Sequence, residues 1–349
     1  MLTPKAPRPA FPGAKKPPRL IELKSEELVE SELWPQEQGF LRRYRARNGD
    51  VNIFAWLEEN RSPLLRNLEE NGAVLLSGFG VNGIEEFARA ARIVFPELLD
   101  YPERAAQRHE VAPQIFTSTE MAADQAIPLH HEMSYSHQWP AKLCFFCERP
   151  PRSGGRTPVA DDRRIFRLLD PRIKRRFMEK KVRYIRNFRP GFDTWQEAFQ
   201  TERPAEVEAY CRRWSIDWEW LAPDHLRTSQ VRQAVAAHPK TGETVWFNHA
   251  HMFHPSNLAP DVREALLRIH GEENLPRNAL FGDGSPLDEE ELEEIRGLYW
   301  REAVRFDWQA GDLLILDNFL TTHGREPYGG DRRILVAMAE LFINRELGL

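Results

Sequence analysis

His130 and Glu132 stand two residues apart in the run Pro128-Leu-His-His-Glu-Met-Ser-Tyr135. On an extended strand, residues i and i+2 share a face, so these two side chains converge while His131 turns away. One imidazole and one carboxylate make two-thirds of a facial triad for iron(II). The third ligand has to arrive from elsewhere, and His323 is the candidate. Gln309-Ala-Gly-Asp312 reads as a turn and Leu313-Leu-Ile-Leu316 as a buried strand, after which Asp317-Asn-Phe-Leu-Thr-Thr leads to His323. Ten residues further on, Arg333 opens the apolar run Ile334-Leu-Val-Ala-Met338. A hairpin turning at Tyr328-Gly-Gly-Asp331 would lay the two strands side by side, with His323 at the metal and an arginine in the same cavity. A planar guanidinium holds a carboxylate through two parallel hydrogen bonds. Arg332 is the rival for that place, and only one of the two can serve, because neighbours on a strand face opposite ways. Each piece is weak in isolation. The order H-x-E, a distant His, then Arg is far more specific.

Other clusters carry less. His249, His251 and His254 fall in Phe247-Asn-His-Ala-His-Met-Phe-His254, a run with no carboxylate, which reads as a loop near the cavity with His251 able to touch substrate. Arg325, just past His323, is placed either to meet a substrate carboxylate or to form a surface ion pair. Cys144 and Cys147 lack the second pair that a structural zinc site needs. Their run, Lys142-Leu-Cys-Phe-Phe-Cys147, reads as a buried strand in which cysteine packs as a small hydrophobe.

The elements that would position these residues are mostly short strands. Candidates lie at 114–119, 129–135, 142–148, 183–188, 230–237, 243–248, 304–308, 313–317 and 333–341, with Gly, Pro and Asp clusters between them. Helical patterns occupy 50–60, a fresh start at Ser62-Pro63, then 83–95, 161–180, 205–215, 260–270 and 287–303. The fold expected is mainly β with helical insertions: a double-stranded β-helix, a cupin-like jelly roll, with helices flanking it. Residues 1–19, rich in Pro, Lys and Ala, read as a flexible tail and 20–349 as one domain. Insertions at about 190–225 and 250–300 read as a helical lid. The aromatics Phe192, Trp195, Phe199, Trp214, Trp218 and Trp220 of the first insertion would either shape a pocket or pack among the helices.

The 349 residues are 41% hydrophobic and 11% aromatic, enough to bury a sizeable core. A net charge of −5, with basic residues spread along the chain, gives no broad attraction to nucleic acid or to an anionic membrane. No window approaches the length of a membrane span, the N-terminus lacks the apolar stretch of a signal peptide, and the three cysteines fit a reducing, cytoplasmic compartment.

These motifs resemble the TauD/TfdA-like family of iron(II)/2-oxoglutarate oxygenases, and within it the branch of the syringomycin-pathway hydroxylase and clavaminate-synthase-like proteins. The likeness is carried by Leu129-His-His-Glu-Met-Ser-Tyr135, Gly154-Gly-Arg-Thr-Pro-Val-Ala-Asp161, Asp317-Asn318, His323-Gly-Arg-Glu-Pro327 and Arg332-Arg333. The resemblance implies that His130, Glu132 and His323 ligate iron. It implies too that Thr157 and Arg333 bind the far carboxylate of 2-oxoglutarate, which reacts with dioxygen to give succinate and carbon dioxide. Relatives often carry Asn, Asp or Thr where this chain has His131. Related halogenases replace the carboxylate ligand by a small residue, so an intact Glu132 points to hydroxylation or desaturation. The substrate implied is an amino acid or similar carboxylate, free or tethered to a carrier protein, in secondary metabolism. Two readings stand beside this one: a cupin-like metal dioxygenase that does not use 2-oxoglutarate, and a non-catalytic binding protein on the same fold.

Overall fold

The apolar runs assemble into a β sandwich. A computed structural model describes residues 28–35, 39–47, 51–100, 108–118 and 121–344; the tail expected at 1–19 lies outside them. Eight strands form the main sheet, in the order Val29–Trp34, Leu41–Ala46, Ala73–Ser77, Leu313–Asp317, Gln138–Arg149, Arg333–Ile343, Ile115–Thr117 and Glu110–Ala112. Its central pair, Gln138–Arg149 and Arg333–Ile343, runs antiparallel from Ile343 opposite Gln138 to Ile334 opposite Cys147. The smaller opposing sheet is Ile127–His130, Thr321–Arg325 and Val159–Asp161. This is the mainly β jelly-roll core expected, with helices outside.

Both faces of the central strands of the main sheet are buried, as their unbroken apolar runs require. Leu143, Phe145, Cys147, Ile334, Val336 and Met338 point toward the smaller sheet. Cys144, Phe146, Leu335, Ala337 and Ala339 point the other way, under the helices Ile53–Asn71 and Gly83–Val94. The three cysteines are free and buried, and burial pushes the Cys144 and Cys147 thiols up to about 12.

Several elements depart from the sequence reading. Ser62-Pro63 does not start a new helix; Pro63 sits inside Ile53–Asn71, whose Leu57, Leu64 and Leu68 are all fully buried. Their burial offsets the roughly 3 kcal/mol that an interior proline costs. Asn52 caps this helix, accepting from the N–H groups of Phe54 and Ala55. The helix expected over 161–180 is two, Asp162–Leu168 and Pro171–Lys180, because Asp170-Pro171 caps and starts the second. Residues 304–308 form no strand; Val304 makes an isolated bridge to Val159.

The insertions expected as a lid contribute strands to a further sheet, and 250–300 also packs into the main core. Strands Asp217–Ala222, His225–Arg232, Val182–Phe188 and Arg277–Phe281 form a four-stranded sheet. Trp195, Val207, Cys211, Trp214 and Leu226 form a separate core beside it. The aromatics of 190–225 pack among themselves and their neighbours: Trp195 edge-on to Trp220, Phe199 against Phe188, and Trp214 stacked on His137 with centroids 3.6 Å apart.

Candidate metal centre and its cavity

His130 ends the strand Ile127–His130, and His323 lies directly opposite it on Thr321–Arg325. Their ring centroids are 4.5 Å apart. Glu132 joins them by a different route from the one the sequence suggested. The strand stops at His130, and residues 132–135 form a turn in which Met133 takes φ +60°. Asn318 holds that turn: its Oδ1 accepts from Glu132 N at 2.8 Å, and its Nδ2 donates to the carbonyls of Glu132 (2.9 Å) and Pro140 (2.8 Å). The expected convergence of His130 and Glu132 is therefore found, but a side-chain clasp makes it rather than strand alternation.

One ligand atom from each of His130, Glu132 and His323 lies within 4.8 Å of the others, the single such group among the described residues. All three are buried. Burial lowers the His130 pKa, with the Glu132 charge opposing, and takes His323 well below the usual histidine value. Both rings are therefore neutral near pH 7 and carry the lone pair that a cation needs. His130 Nδ1 donates to Pro128 O at 2.8 Å, which fixes the tautomer and leaves Nε2 as the donor to a metal. His323 Nδ1 has no hydrogen-bond partner among the described residues. Two neutral imidazoles and one carboxylate, buried and convergent, fit iron(II).

A small cavity opens on this group, lined by Arg108, Ser118, Ile127, His130, Phe145, Thr157, His323, Gly324, Arg325, Arg332 and Ile334. No residue of 190–225 or 250–300 lines it. Arg108 Nη2 donates to Glu132 Oε2 at 2.7 Å, both side chains being almost wholly buried. Sequence reasoning missed Arg108, which belongs to no motif and no periodic run.

The two adjacent arginines part company here. Arg332 enters the cavity, its Nε donating to Gly155 O at 3.0 Å and its Nη2 to Thr157 Oγ1 at 3.3 Å. Burial and the nearby Arg325 lower its pKa to about 10, so it remains charged. Thr157 also accepts from Trp308 Nε1 at 3.0 Å. Gly155, at φ +67°, permits the arrangement: a Cβ there would lie 2.8 Å from Tyr328 Cβ and 3.1 Å from Arg332 Cδ. Arg333, the expected cavity arginine, instead points outward and pairs with Glu148 at 2.6 Å. The cause is local. Ile334 faces the cavity, so Arg332, two residues before it, shares that side, and a register shift between Arg333 and Ile334 turns Arg333 toward Glu148.

The expected substrate contacts are placed differently too. Arg325 borders the cavity, but its guanidinium donates to the carbonyls of Met121 (3.0 Å), Ala122 (2.7 Å) and Gln125 (2.9 Å). His251 does not reach the cavity; its Nε2 donates to Leu129 O at 2.9 Å, and burial pushes its pKa down to about 3. His249 packs its ring edge-on to His130, with Nδ1 2.6 Å from Ser134 Oγ.

A jelly roll with a buried two-histidine, one-carboxylate group beside a basic cavity defines a non-haem iron oxygenase class. The chain matches the "Taurine catabolism dioxygenase TauD, TfdA family" over residues 38–339 and belongs to that family, whose members are iron(II)- and 2-oxoglutarate-dependent dioxygenases. It is 43% identical over 279 residues to the dapdiamide synthesis protein DdaC of Enterobacter agglomerans, covering 80% of this chain and 85% of that protein. It is 30% identical over 285 residues to a clavaminate synthase-like protein of Arabidopsis thaliana, covering 78% of this chain and 83% of that one. Among solved structures, PvcB from Pseudomonas aeruginosa shares the fold with a TM-score of 0.54 at 16% identity, covering 93% of this chain and 96% of that one. The protein is thus an iron(II)- and 2-oxoglutarate-dependent oxygenase. Among the described residues, no helix is long and apolar enough to cross a membrane.

Proposed function

We propose that His130, Glu132 and His323 hold the iron, that Arg332 and Thr157 receive the far carboxylate of 2-oxoglutarate, and that the enzyme oxidises an unactivated C–H bond of an amino acid or related carboxylate, free or tethered to a carrier protein. Bound iron(II), with 2-oxoglutarate and dioxygen, supplies the oxidising power for that step and releases succinate and carbon dioxide. The residues do the positioning. His130 and His323 offer neutral nitrogens, and Glu132 offers the one negative charge. Arg108 holds Glu132 Oε2 and so orients the carboxylate. Arg332 presents a guanidinium and Thr157 a hydroxyl at the far side of the cavity, where a five-carbon dicarboxylate anchored at the metal would end. The buried walls keep water from the reacting centre.

The observation that carries this reading is the placement of Arg332 and Thr157 in the cavity lined by His130 and His323, the two histidines that converge with Glu132. It favours 2-oxoglutarate use over a cupin-like dioxygenase that would need neither residue. The likeness to a dapdiamide synthesis protein supports a place in secondary metabolism and an amino-acid-derived substrate. The test is succinate release by the iron(II)-loaded enzyme across a panel of amino acids, each offered free and loaded on a peptidyl carrier protein. Succinate formed in step with an oxidised member of the panel supports the assignment. Succinate at background with every member, while iron(II) and 2-oxoglutarate bind, would overturn the substrate class.

A further inference from the structure

His131 and Asp162 are not used by the site described above, yet both are fully buried beside it. His131 lies between the ligands His130 and Glu132. Its Nδ1 is 2.6 Å from Asn318 O, and its Nε2 is 2.9 Å from Trp246 O and 3.3 Å from Asp162 Oδ1. Every one of these partners is an oxygen, and the two carbonyls can only accept. The ring is thus clasped by oxygens at both nitrogens, and Asp162 supplies the one side chain among them. Asp162 also reaches the other ligand-bearing segment. Its Oδ2 accepts from Thr322 N at 2.9 Å, one residue before His323, and its Oδ1 accepts from Tyr299 Oη at 2.8 Å. Asp162 N donates to Leu320 O at 2.8 Å, further along the same segment.

We propose that Asp162 is a positioning residue for the metal centre: paired with His131, it ties the segment bearing His130 and Glu132 to the segment bearing His323, and so sets the spacing of the three ligands. The proposal rests on the ligand assignment made above. What the pair supplies is direction. Its carboxylate has its two oxygens committed to different chain segments, and each of those segments carries at least one ligand.

The test is Mn(II) affinity of the purified full chain, read by the loss of the free-ion EPR signal, with folding checked by circular dichroism. Asp162→Asn can put an amide N–H where the carboxylate accepts from Thr322 N or faces the His131 ring. His131→Asn withdraws the ring from Asp162. Each is expected to weaken Mn(II) by about 10- to 100-fold in folded protein, the range for lost outer partners of metal ligands. The double variant, which removes both partners of one contact, is expected to lose less than the product of the two single losses. Tyr299→Phe removes only one hydrogen bond to Asp162 and serves if Asp162→Asn does not fold; a several-fold loss of affinity is expected. Parent-like affinity in folded Asp162→Asn, or in Tyr299→Phe where Asp162→Asn is unfolded, would overturn the proposal, as would strictly multiplicative losses in the double variant. Failure of the parent itself to bind Mn(II) would overturn the ligand assignment, and the clamp with it.

Discussion

Arg332 Nη2 lies 3.3 Å from Thr157 Oγ1, inside the cavity lined by the candidate ligands His130 and His323. Its neighbour Arg333 ends outside, on Glu148. The two arginines therefore separate by function. Arg332→Ala is expected to weaken 2-oxoglutarate by roughly 30-fold or more, since losing one partner of a buried, hydrogen-bonded charge pair costs ~2–5 kcal/mol. Arg333→Ala removes a partly exposed ion pair worth about 0–1 kcal/mol and leaves the co-substrate affinity near that of the parent. Calorimetric titration of 2-oxoglutarate into the Mn(II)-loaded variants under anaerobic conditions checks both. The opposite ranking would return the role to Arg333.

Arg325 holds three carbonyls of the 121–125 loop that leads into the His130 strand. A lysine has the charge but not the planar fork, and cannot reach all three. Arg325→Lys is expected to raise amide hydrogen exchange across 121–126 by tenfold or more while the exchange of Gln138–Arg149 stays as in the parent. Unchanged exchange in the loop would show that these bonds do not hold it.

Acidification is expected to destabilise the fold beginning near pH 6.5. Burial pushes His137 to about 2, His251 to about 3 and His254 to about 4. The unfolded chain protonates these rings near pH 6.5 while the folded protein does not, so below that pH the unfolded state binds more protons and stability falls. Each ring contributes about 1.4 kcal/mol per pH unit until its folded pKa is reached. Asp312, whose carboxyl burial lifts to about 6, acts in the opposite sense between its ordinary value and 6, one group against three. Urea midpoints from pH 7.5 to 4.5 read the slope. A midpoint that holds steady or rises on acidification would contradict these placements.

Much of the centre was legible in the sequence because its signals are local: H-x-E in an apolar run, a histidine after a glycine-bounded strand, and Gly154-Gly155 before Thr157. The face taken by Arg332 was not. The strand it precedes is buried on both sides, so Ile334-Leu-Val-Ala-Met338 has no polar alternation to say which side is in, and the register shift at Arg333 leaves no mark in composition. His130 and Glu132 were paired correctly on a wrong premise. The turn that brings Glu132 round depends on Asn318, 186 residues away, and no local pattern encodes that bond. Arg108 and Asp162 were invisible for the same reason, since each acts through partners distant in sequence. The lid expected from 190–225 and 250–300 was an inference from position between core strands. Trp195 and Trp214 of 190–225 pack in a separate core, while Phe253, Phe281 and Tyr299 of 250–300 join the main one.

Metal binding by the three convergent side chains tests the account most directly. Anaerobic iron(II) titration of the parent and of Glu132→Ala and His323→Ala, each shown to be folded by circular dichroism, is expected to give one site per chain in the parent. In either variant the affinity should fall by at least 100-fold, and substrate oxidation should be lost with it. Parent-like iron(II) affinity or near-parent turnover in a folded His323→Ala variant would contradict the account, because the cavity would then hold its metal without the ligand that the opposing strand supplies.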